Sequence, residues 1–140
     1  MHPQTWARVN THVDKGIAPL IEALSMFPLL QTLESCEGDD TQAAWVCFFY
    51  GAYWADPWVP LAGFVLHELG PPLAAMVGDN ARLSVRVTET GTALGEIAVN
   101  KAAMADVESA IRRIAAGISA RPLHSLGCCD GRSGTSQGCC

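Results

Sequence analysis

Arg82-Leu83-Ser84-Val85-Arg86-Val87-Thr88 alternates apolar and polar residues without a break, and Leu94-Gly95-Glu96-Ile97-Ala98-Val99-Asn100 follows it. Successive side chains on a strand point to opposite faces. Leu83, Val85 and Val87 therefore share one face, and Arg82, Ser84, Arg86 and Thr88 share the other. Thr90-Gly91-Thr92 supplies a hairpin-like turn between the runs. Directly behind them, Met104, Val107, Ile111 and Ile114 recur at 3-4-3 spacing, with Ile118 just beyond, which predicts a helix over 102–117. Arg112 and Arg113 fall on its solvent side near the C-terminus, where the helix dipole favours cations. A hairpin with one apolar face, followed at once by an amphipathic helix, calls for a helix layer packed on a sheet.

The same logic extends toward the N-terminus. Ala44-Trp45-Val46-Cys47-Phe48-Phe49-Tyr50 reads as a strand buried on both faces, with Trp45, Phe48 and Phe49 in the core. Pro60 suits the start of a helix whose buried face is Leu61, Phe64, Val65 and Leu69. Gly70-Pro71-Pro72 interrupts it, and 73–77 resumes as a short helix. Residues 29–36 read as a strand and Glu37-Gly38-Asp39-Asp40 as a turn. Residues 5–13 alternate as a first strand. Asp14 then offers an N-cap for a helix reaching about Phe27, with Ile17, Leu20, Ile21, Leu24 and Phe27 as its apolar stripe. The order β-α-β-β-α-β-β-α predicts an α+β class: a single domain, with a mostly antiparallel mixed sheet and helices packed on one face. That domain spans 1–119. Residues 120–140 lose all periodicity, fill with Gly, Ser and Cys, and read as a disordered tail.

Composition narrows the function classes. The chain has 140 residues, 49% of them hydrophobic and 16% charged, which suits one domain with one core. Its net charge is −5, so no global field draws a phosphate backbone. Arg82, Arg86, Arg8 and Lys101 offer a small local basic patch at most. The first residues lack the apolar stretch of a secretory signal, which sets the expectation of a cytoplasmic protein with reduced cysteines. His67, Glu68 and Pro71-Pro72 break the longest apolar stretch, 58–77, so no membrane span is expected there.

One segment carries a family likeness. Val13-Asp14-Lys15-Gly16-Ile17-Ala18-Pro19-Leu20-Ile21 leads, through Pro28, to Thr32-Leu33-Glu34-Ser35-Cys36-Glu37-Gly38. This resembles the opening of the wybutosine-synthesising Tyw3 family, in which a similar helix leads into a Thr-x-Ser-Ser-Cys-Ser/Ala-Gly-Arg strand and turn. It also resembles small bacterial and phage proteins. The likeness covers 13–38. Glu34 stands where the family has Ser, and Asp39 where it has Arg. The family methylates a modified guanosine of transfer RNA with S-adenosylmethionine as donor. The resemblance implies a related fold and a site for a polar small ligand or an RNA element around Asp14, Thr32, Ser35, Cys36 and Gly38. It names S-adenosylmethionine as the cofactor to test, while the two departures weigh against methyl transfer.

The residues have their own reading. A strand ending in Ser35-Cys36 and turning through Gly38 offers backbone N–H groups and a hydroxyl to a polar ligand. The plain alternative is a structural turn with Cys36 as a small buried hydrophobe. Tyr53, Trp54 and Trp58 fall in or beside a loop, where amphipathic aromatics suit a protein interface. They support the alternative function, a non-enzymatic interaction module of the phage or mobile-element type. His67-Glu68 lacks the second His of a zinc-protease helix, because Pro71 stands in its place. Cys128-Cys129 and Cys139-Cys140 are adjacent pairs rather than the Cys-x₂₋₄-Cys spacing of zinc sites, so no metal is assigned.

Overall fold

The computed structural model describes residues 4–6, 12–51 and 58–119. Four strands form one antiparallel sheet: β3 (Leu30–Cys36), β4 (Ala44–Tyr50), β5 (Ala81–Val87) and β6 (Ala93–Val99), in the order β3-β4-β6-β5. The chain leaves β4, passes through helices, returns at the far edge as β5, and fills the gap with β6. Every pairing is antiparallel, so the expected α+β fold holds with no parallel pair in this sheet. The β5–β6 hairpin pairs as its alternation predicts, from Ala81↔Val99 to Val87↔Ala93.

Register separates the two faces. Ala44, Val46, Phe48, Ile97 and Val99 lie in the core under the helices. Trp45↔Ala98↔Arg82 and Cys47↔Glu96↔Ser84 form rows on the other face. Trp45 and Phe49 are half-buried on that outer side rather than core residues. The helices α1 (Ala18–Leu24) and α4 (Met104–Ser119) pack together, and α4 also meets α3 (Gly70–Val77). Val107, Ala110, Ile111, Ile114 and Ala115 of α4 are buried, as the 3-4-3 spacing requires. Arg112 is not merely solvated. Its Nε donates to Glu108 at 2.9 Å, and it reaches Glu22 of α1 at 3.8 Å.

Three further expectations need correction. The predicted first strand is two short ones, β1 (Gln4–Trp6) and β2 (His12–Asp14), which pair with each other outside the main sheet. Alternation alone could not reveal that break. Asp14 does not cap α1 with its side chain; Ile17 is the N-cap residue and carries no side-chain cap bond. The Asp14 carbonyl instead accepts from the Ile17 N–H at 3.2 Å, closing a turn before the helix. Finally, Gly70-Pro71-Pro72 does not interrupt the second helical region. The path runs unbroken through α2 (Trp58–Gly63), a π-turn (Phe64–Leu69) and α3. The Gly70 N–H donates to the Val65 carbonyl five residues back. That wider turn lets the prolines, which lack N–H groups, enter in the first turn of α3. Any Cβ on Gly70 would collide with the Val65 carbonyl.

Phe64 in the π-turn organises the core. Tyr50 stacks on it at 4.0 Å, and Phe27 meets it edge-on at 5.0 Å. Phe48 lies at 6.1 Å and presses its ring over Gly95, where a Cβ would strike it. Burying one such ring contributes about 1.5–3 kcal/mol.

Candidate functional site

The Ser35-Cys36-Gly38 region is built by a bulge. Thr32 pairs with Phe48 and Ser35 with Val46, so Leu33 and Glu34 together oppose Cys47. The extra residue leaves Leu33 and Glu34 both exposed. Next to the bulge lies a depression of about 400 Å³, lined by His12, Val13, Asp14, Leu33, Glu34, Ser35 and Trp45. Asp14 and Ser35, far apart in sequence, therefore meet at one surface. Thr32, Cys36 and Gly38 do not line it.

The turn after β3 is closed on itself. The Gly38 N–H donates to Cys36 Sγ at 3.5 Å, and the Asp39 N–H to the Gln42 carbonyl at 3.1 Å. Asp39 Oδ1 accepts from the Thr41 N–H and Oγ1 at 2.7 Å each, and from the Gln42 N–H at 2.9 Å. These bonds, with Thr41 first, hold the Asp39 carboxyl below its ordinary 3.8. Its support of the turn is thus present above that value and fades as pH falls through the lowered one. Gly38 has φ of 68°, with backbone atoms of 42–44 where a side chain would stand. The N–H groups that the sequence offered to a ligand thus already serve the turn.

Glu37 was missed as a structural residue. It is the buried charged residue among those described, and its Oε2 accepts from the Gly16 N–H at 2.7 Å. A carboxylate thereby ties the end of β3 to the loop that opens α1. The sequence signal was Gly16 itself, since a Cβ there would meet the carboxylate. A larger depression, about 690 Å³, lies beyond this turn, with Asp39, Asp40, Asp79, Arg82 and Lys101 among its lining residues.

On the outer sheet face, Cys47 Sγ lies 3.3 Å from Arg86 and 3.5 Å from Glu96. Burial raises the thiol's pKa, Arg86 pulls it down and Glu96 raises it further, so the net shift keeps the proton on sulfur. This is a packed structural thiol rather than a nucleophile. Tyr50 OH donates to Glu68 at 3.4 Å, and burial together with that carboxylate pushes the phenol to about 12.

Of the aromatic trio, Tyr53 and Trp54 lie outside the described residues, while Trp58 begins α2 and is 38% exposed. The helical path it opens continues to Asn80, and by length and composition alone it is long and apolar enough to cross a membrane. Only 28% of its most apolar window is buried. Val59 is 74% exposed and Leu66 63%. The sequence reading placed the buried face correctly and overlooked the outward one. The missed signal was apolar composition on all sides, including Val59 and Leu66 one heptad apart. Among the described residues no group of three or more His, Cys, Asp or Glu could hold a metal ion. Comparison of the chain with protein-family models, curated proteins and solved structures gave no match.

Proposed function

We propose that this domain is a protein-interaction module that receives a partner on the outward face of the 58–80 helical path. The observation that carries this reading is the exposure of Val59 and Leu66 on a helix whose apolar window is mostly unburied. Exposed apolar surface of this kind marks interaction sites. Ala74 and Ala75, both small and exposed, let a partner approach the helix closely there. The path carries no Lys or Arg, whereas helices that lie on anionic bilayers use such residues on their polar side. That favours a protein over a charged lipid surface.

The test is Leu66→Glu. Because Leu66 points outward, the melting curve should stay within about 0.5 kcal/mol of the parent. Partner capture by the full chain should fall at least about tenfold. Unchanged capture would end this reading. Flotation of the chain with lipid vesicles, abolished by the same substitution, would transfer the surface to a membrane.

The Asp14–Ser35 depression supports a second reading, a site for a polar small ligand or an RNA element of the kind the Tyw3 resemblance implies. Calorimetric titration with S-adenosylmethionine decides whether that donor belongs. Saturable heat lost in Ser35→Ala supports it, and absence of heat removes the methyl donor.

A further inference from the structure

We infer that β5 accepts an added strand: an extended segment of another protein, alternating acidic and apolar residues, that pairs along its free edge. The sheet order leaves β5 with one neighbour, β6. Its register with β6 runs without a shift over all seven residues, and it contains no proline. In such a strand, about half the backbone N–H and C=O groups point away from the sheet. Among the described residues, no loop or cap hydrogen bond engages the backbone of 82–87.

The side chains define the partner. On the outer face stand Arg82 and Arg86. Arg82 has no ion pair among the described residues, and Arg86 meets Glu96 only at 3.9 Å with its side chain 54% exposed. On the helix face stand Leu83, Val85 and Val87, the last 57% exposed. The π-turn and α3 border β5 on this side. An incoming strand would set alternate residues against each face. Acidic residues answer the arginines, and apolar residues continue the Leu83-Val85-Val87 row. A second copy of this chain is disfavoured in the register centred on Ser84. Antiparallel pairing centred on Ser84 would set Arg82 of each copy opposite Arg86 of the other, and like charges directly opposite are destabilising.

The proposal deepens the interaction reading and rests on it, but it concerns a different surface from the outward helix face. The experiment uses the full chain and a labelled peptide, matched to β5 in length, that alternates glutamate and valine. Fluorescence anisotropy should show saturable binding. A peptide with lysine for glutamate should bind about tenfold more weakly. Arg82→Glu should erase that preference, because Arg86 remains on the same face, and a peptide N-methylated along its pairing edge should not bind. Arg82 is exposed, so its reversal leaves the core intact, which a melting curve verifies. No saturable binding, equal binding of the N-methylated peptide, or an unchanged preference in Arg82→Glu would overturn the proposal. So would a dimer of the chain itself that blocks the peptide. Partner capture can be lost in Leu66→Glu while the peptide fails to bind the parent, so the two ideas fall separately.

Discussion

The sheet ends in two strands of equal length, β3 and β5, that finish their edges differently. β3 follows Pro28, carries a bulge at Leu33-Glu34, and lies against β2. Its far end is tied down by Glu37 on Gly16 and by the closed Asp39 turn. β5 has a regular ladder, no bulge and two arginines. Bulges twist an edge away from further pairing, while a flat edge stays a template unless charge discourages it. This domain closes one side of its sheet by backbone irregularity. It leaves the other open to a strand of the right charge.

The largest effect should come from erasing the difference. Deleting Glu34 would leave Thr32 opposite Phe48, Leu33 opposite Cys47 and Ser35 opposite Val46, a ladder without a bulge. The variant should fold and self-associate through β3, seen by light scattering as mass rising with concentration while the parent stays constant. A deletion variant that does not self-associate would mean the bulge is not what guards this edge. Next in size is Glu37→Ala, which leaves the Gly16 N–H without its carboxylate and should lower unfolding free energy by about 1–3 kcal/mol in urea titrations. No loss would show that the β3 end is held by its turn alone. Smallest is the charge reversal at Arg82, which shifts a peptide preference and leaves stability within about 0.5 kcal/mol.

Much of the fold was legible in sequence. The hairpin 81–99 and the helix after it followed from periods of two and of three to four, because each buries one face against the other. Less of the candidate site could be read. Asp14 suits both a helix cap and the polar site by sequence; the structure gives the cap position to Ile17 and sets Asp14 beside Ser35 in one depression. The bulge also escaped notice, because one extra residue in a polar-apolar run looks like ordinary strand. Gly70-Pro71-Pro72 looked like a break because the rule against interior prolines assumes α-helical spacing, and a π-turn changes that spacing.

By itself, the sequence determined the α+β class, the inward stripes of α1 and α4, and the strands β3 to β6. These depend on local periodicity and on which residues avoid water. Only the tertiary structure decided which strands became edges, which arginines among the described residues stayed without an ion pair, and which side of the long helix was left uncovered. Those outcomes depend on which surfaces the other elements occupy, and that is a property of the assembled layers rather than of any one segment.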